Sequence, residues 1–168
     1  MEKALYLERE KSITFTGHRI IPLVRQEEIR ARLTATVALA CKSGMTRFYC
    51  GMALGFDMMA AEVVLSLKDK FLDIQLIAIV SFSGQSDRWA SSEQERYHRI
   101  LAKTDKVVVL SGNYFRGCLL RRNDYMLSHS CGVIAYYNGK PQGGTFYTVK
   151  KAGRMKMDVV NIYGKRGD

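Results

Sequence analysis

Ile74-Gln-Leu-Ile-Ala-Ile-Val80 is apolar at every position but Gln75. A strand solvated on one face alternates apolar and polar residues, whereas a strand covered on both faces has no reason to. The segment predicts a buried parallel strand. Parallel neighbours need crossovers of a dozen or more residues, so helices are expected on either side of it.

The flanking sequence supplies them. Toward the amino terminus, Ser12-Ile-Thr-Phe-Thr16 alternates, is β-branched or aromatic, and stops at Gly17, which predicts the first strand. From Gln26, apolar residues recur at Ile29, Leu33 and Val37 until Lys42-Ser43-Gly44, the pattern of a helix with one buried stripe. Thr46 to Cys50 predicts a second strand, and Phe56 to about Lys70 a second helix with Ala60, Ala61, Val63, Val64 and Leu67 inward. Beyond Val80, helices are expected at Ser91 to Ala102, Leu119 to Ser128 and Thr145 to Gly153. Strands are expected at Lys106 to Leu110, Val133 to Tyr137 and Asp158 to Tyr163. The succession of right-handed βαβ units predicts an α/β, Rossmann-like three-layer fold with a mostly parallel central sheet.

The 168 residues, 47% of them hydrophobic, suffice for one core, so a single domain over 1–168 is expected, with its core at about 12–163. Gly164-Lys-Arg-Gly-Asp168 is expected to fray. No stretch nears about 20 consecutive apolar residues, and Met1 to Lys11 is a charged segment rather than a basic cap followed by an apolar run, so neither a membrane span nor a secretory signal is expected, and the expected location is cytoplasmic. Cys41, Cys50, Cys118 and Cys131 are widely spaced, without a C-x-x-C pair, and read as thiols. His18, His98 and His129 stand in no metal-ligand spacing with them, so no metal and no cofactor are expected.

The net charge of +10 is uneven: residues 85–168 hold 15 Lys and Arg against 7 Asp and Glu, while residues 1–84 hold 11 against 9. Such a half focuses anions, whether nucleotides, nucleic acid or an acidic partner.

Ligands of doubly wound sheets bind beyond the carboxyl ends of the strands, where three glycine-bearing loops fall. In the first, Thr16-Gly17-His18-Arg19, Gly17 permits a tight turn, Arg19 offers a forked donor, and His18 can donate or stack. In the second, Gly51-Met-Ala-Leu-Gly55-Phe56-Asp57, a strand leads into a helix, the setting of an anion-binding loop; it is neither G-x-G-x-x-G nor a Walker sequence. Asp57 either caps that helix or accepts from a ribose, base or amine. In the third, Gly143-Gly144 precede Thr145, a hydroxyl that caps a helix or bonds a phosphate. Trp89 and Tyr114, with Phe82 and Tyr97, offer faces to a base; Arg88, Arg121 and Arg122 offer charge. The polar loop Ser81 to Trp89 is long enough for a partial lid.

Taken together and in order, T-G-H-R, G-M-A-L-G-F-D-M-M-A-A-E, Q-x-x-R-W, R-N-D-Y-M and G-G-T resemble the YpsA-like family, formerly a domain of unknown function. That family lies in the Rossmann-like group with the LOG or lysine-decarboxylase-like proteins and DNA-processing protein A. The resemblance covers about residues 12–163 and implies a nucleotide-ligand pocket. Phosphoribohydrolases of the wider group carry R-K-x-x-M, which Arg122-Asn123-Asp124-Tyr125-Met126 resembles, and so Arg122 matches their active-site arginine. Their G-T-x-x-E ends here in Thr148, which removes the carboxylate, and their proline before phenylalanine is replaced by Ser81 before Phe82.

The expected function is binding or sensing of a nucleotide-like, phosphate-bearing ligand such as a nucleoside phosphate or an ADP-ribose-like compound. Gly17, His18, Arg19, Gly51, Gly55, Asp57, Trp89, Tyr114, Arg122, Gly143, Gly144 and Thr145 form the expected site. Two alternatives stand beside it: hydrolysis at an N-glycosidic or phosphate-ester bond, with Asp57, Glu62 or Asp87 supplying a carboxylate and Asp57 the first candidate, and single-stranded nucleic-acid binding. The residues leave turnover and homo-oligomer formation open.

Overall fold

Five pairings, all parallel, join six strands in the order β4-β3-β2-β1-β5-β6 in a computed structural model that describes residues 1–164. The strands are β1 (Ser12–Gly17), β2 (Arg47–Cys50), β3 (Gln75–Val80), β4 (Lys106–Val109), β5 (Gly132–Tyr136) and β6 (Asp158–Asn161). The helices are α1 (Glu2–Arg9), α2 (Gln26–Lys42), α3 (Phe56–Leu67), α4 (Ser91–Lys103), α5 (Cys118–Ser128) and α6 (Gly143–Arg154). The chain steps outward from β1 to β4 and then crosses back to lay β5 on the free side of β1. The reversal of strand order therefore falls between β1 and β5.

The expected doubly covered strand is present: Leu76, Ile77, Ala78, Ile79 and Val80 are all buried in β3. Leu76 and Ala78 join the core beneath α2, α3 and α4, while Ile77 and Ile79 pack with Met126 of α5 on the other face. On the first face, Phe15 of β1 stacks on Phe48 of β2 at 5.9 Å and meets Phe56 of α3 edge-on at 6.3 Å. Below α6, Val133 and Ala135 pack with Leu127 and Ala152. This is the α/β, Rossmann-like three-layer fold that the periodicity predicted.

Two elements depart from the sequence reading. Helix α1 carries no buried residue, so it writes no apolar stripe into the sequence. It is tied down by single contacts instead: the Arg9 guanidinium donates to the Ser130 carbonyl, and the Ser12 hydroxyl to that of Glu8. Helix α6 begins at Gly143 rather than at Thr145, because Gly143 takes a φ of +87° as the chain turns in from extended Gln142. Thr145 is then the third helical residue, not the cap. The expected frayed tail, apart from Gly164, lies outside the described residues. No helix among the described residues is long and apolar enough to cross a membrane.

Candidate ligand site at the strand-order reversal

The end of β1 and the amino termini of α5 and α6 enclose a cavity of about 440 Å³. It is lined by Gly17, His18 and Arg19 after β1, Asp57 of α3, Gly117, Cys118, Arg122 and Asn123 around α5, and Gly143, Gly144 and Thr145 of α6. The first backbone N–H groups of a helix have no intrahelical acceptor and carry the positive end of its dipole. Two such termini and two arginines line this chamber, an arrangement suited to an anion.

A second chamber of about 570 Å³ adjoins it, with Arg19, Ala53, Tyr114, Leu119 and Arg122 common to both linings. Its own lining comes mainly from the loop after β3: Phe82, Gln85, Asp87, Arg88 and Trp89, with Asn113. Phe82 meets Tyr114 edge-on at 5.4 Å, which builds an aromatic wall, and Trp89 is braced against Tyr97 at 5.2 Å. Tyr97 is buried and lines neither chamber.

Arg122 is buried, and its bonds hold the two chambers together. Its Nη1 donates to the Gly51 carbonyl at 2.6 Å and to Gln85 Oε1 at 3.4 Å, and its Nε donates to Asn123 Oδ1 at 3.2 Å. Gln85 in turn accepts from the Ser81 N–H at 2.9 Å and donates to the carbonyls of Gly51 and Met52. One glutamine side chain thus ties the loop after β3 to the end of β2. Met52 there has a φ of +58°, rare for a residue with a side chain.

Asp57 is buried on the second turn-forming position of α3, and no ion pair among the described residues includes it. Its Oδ2 accepts the Ala53 N–H at 3.2 Å, while Oδ1 is shielded from solvent and has no partner among the described residues. Burial raises its carboxyl to about 6, against the pull of Arg122, the Ala53 bond and Arg19. Burial likewise lowers Arg122, which stays a cation because guanidinium starts so high. His18 is lowered by burial and its Nε2 accepts the Asn138 N–H at 2.9 Å, so Nδ1 carries the proton.

Ten of the twelve expected site residues line these chambers; Gly51 and Gly55 do not. Their missing side chains make room for protein rather than ligand. A Cβ on Gly51 would stand 2.8 Å from the Arg122 guanidinium carbon, and one on Gly55 would collide with the Arg19 carbonyl. Gly17 lines the first chamber, yet the Phe56 ring fills the place of its Cβ. Thr148, which replaces the group's glutamate, is fully buried and spends its hydroxyl on the Gly144 carbonyl at 2.9 Å. Arg121 lies over Phe115 and lines neither chamber. Gln85, part of Q-x-x-R-W, is not among the expected site residues, whereas Asn123, expected with Tyr125 to orient the basic and aromatic set, accepts from Arg122.

An all-parallel sheet with a two-part cavity at its strand-order reversal defines a Rossmann-like protein. Within that class the chain belongs to the YpsA family: residues 14–162 match its model, described as the YspA SLOG family. It is similar to UPF0398 protein BH1768 of Halalkalibacterium halodurans, 27% identical over 94% of this chain and 82% of the relative. It is 33% identical to UPF0398 protein ABC2016 of Shouchella clausii over 59% of this chain, a match that spans only about half, 54%, of that relative. An uncharacterized SPbeta prophage-derived protein of Bacillus subtilis, YoqJ, is 28% identical over 69% of this chain and 75% of its own length.

Proposed function

We propose that the protein binds a nucleotide-like ligand with its phosphate in the first chamber and its ring in the second. One observation carries this reading: two helix amino termini line one chamber, aromatic side chains line the other, and Arg19 and Arg122 belong to both. Neutral ligands gain nothing from the first chamber, and bare phosphate gains nothing from the second. A nucleoside phosphate or an ADP-ribose-like molecule uses both.

Isothermal titration calorimetry with ADP, ADP-ribose, adenosine and inorganic phosphate tests it. The expected result is micromolar binding of ADP or ADP-ribose, with adenosine and phosphate each at least tenfold weaker. Absence of binding by every nucleotide below millimolar concentration would overturn it.

Hydrolysis of the same ligand is the second reading, favoured by Asp57: a buried carboxyl raised to about 6 is poised to exchange a proton near neutrality. Release of base or phosphate from a nucleotide panel, lost in Asp57→Asn, would support it; no product from that panel would remove it.

A further inference from the structure

The sheet ends on one side at β4, which among the described residues pairs with β3 alone. Half of its N–H and C=O groups therefore face outward. Edge strands are commonly blunted by charge, proline or bulges, and in Lys106-Val-Val-Val109 the one such device is Lys106, at its start. Val107 and Val109 are 42% and 51% exposed on one face of the strand, while Val108 and Leu110 on the other are half-buried against the cluster of Ile77, Ile79 and Met126.

The charges beside this edge select its occupant. Alternation along a strand puts Lys106 on the same face as Val108 and Leu110, the face that α5 covers. Arg121 of α5 reaches the far end of that face: its Nη1 donates to the Leu110 carbonyl at 3.5 Å, and its guanidinium lies over Phe115. Neither Lys106 nor Arg121 has an acidic partner among the described residues. Two free cations thus flank the valines, at strand positions about 13 Å apart for a rise of about 3.3 Å per residue. A second copy of the chain suits this edge poorly. Antiparallel pairing about a two-fold axis at Val108 sets Lys106 of each copy opposite Leu110 of the other, beside its Arg121, so like charges meet twice.

We propose that β4 accepts an extended acidic segment of another protein as a seventh strand. The main chain of that segment bonds the free edge, its apolar residues cover Val107 and Val109, and two carboxylates four residues apart meet Lys106 and Arg121. The acids at i and i+4 lie on the α5 face and the apolar residues at i+1 and i+3 on the other, which reads acid-apolar-x-apolar-acid. The pattern is symmetric and fits in either strand direction. None of the strand or its two cations lines either chamber, so this surface is independent of the nucleotide reading.

Fluorescence anisotropy of the labelled peptide Gly-Ser-Glu-Val-Thr-Val-Glu-Ser-Gly, titrated with the full chain, tests this. The expected result is saturable binding below millimolar concentration that weakens at least fivefold between about 0.05 and about 0.5 M salt. The same peptide with both Glu replaced by Lys should bind at least tenfold more weakly. Lys106→Glu with Arg121→Glu changes two exposed positions and should reverse that preference, in a variant that melts as the wild type does. Amide hydrogen exchange should slow across residues 106–110 when the acidic peptide binds. Absence of binding, equal binding of the two peptides, an unchanged preference in the folded double variant, or protection confined to other residues would overturn the proposal. So would sedimentation of the peptide-free protein as a dimer whose β4 amides are already protected, since the occupant would then be a second copy.

Discussion

Arg122 Nη1 donates to the Gly51 carbonyl oxygen across 2.6 Å, a bond between residues 71 positions apart that lays a helix-borne cation over the end of β2. The guanidinium lies where a Gly51 side chain would be. Glycine at 51 and arginine at 122 are therefore one structural requirement, met by two distant positions.

Replacing Gly51 with alanine tests that requirement. The new methyl displaces the guanidinium rather than backbone, so the fold survives with a loss of about 1 kcal/mol. ADP affinity is expected to fall about tenfold as the arginine leaves its place. Denaturant melts alongside calorimetry separate the two effects, and unchanged affinity would break the link between the pair.

Gly55→Ala is expected to act on the fold instead. Gly55 has a φ of +78° and faces the Arg19 carbonyl, so backbone must move. A loss of about 2–4 kcal/mol in urea unfolding is expected, from strain and steric conflict together. A variant as stable as the wild type would contradict the close approach of the two loops.

Lysine at 122 keeps the charge but not the fork that reaches Gly51, Gln85 and Asn123 at once. Arg122→Lys should weaken ADP at least tenfold, and Arg122→Met more. Loss of the arginine also removes the foremost charge that opposes the rise of Asp57. Carbon-detected NMR titration should then show the Asp57 carboxyl holding its proton to higher pH in Arg122→Met.

The stability of the protein should depend on pH through Asp57 with an unusual sign. Its carboxyl is raised from 3.8 to about 6 by folding, so between those values the folded state binds the proton and the unfolded state does not. Its contribution is thus fully present below pH 3.8, falls as pH rises through 6, and amounts to about 3 kcal/mol in all. Asp57→Asn removes this dependence. The variant should be more stable than wild type at pH 8 and gain nothing at pH 4, as read by thermal melts at the two pH values.

The sequence by itself determined the elements and their class. The near-continuous apolar run at 74–80, the stripe through Ile29, Leu33 and Val37, and the spacing of strands by helical runs each follow from local side-chain periodicity, which the chain writes wherever a face is buried. Helix α1 escaped for the same reason, having no buried face to write. Only the tertiary structure decided that β5 lies beside β1, which gathers loops more than a hundred residues apart into one cavity. It alone showed that Gly51 and Gly55 clear space for arginine and carbonyl, that Gln85 ties a loop to β2, and that one Asp57 oxygen has no partner among the described residues. Those facts depend on which surfaces meet across the sheet, and a local pattern carries no record of its distant neighbours.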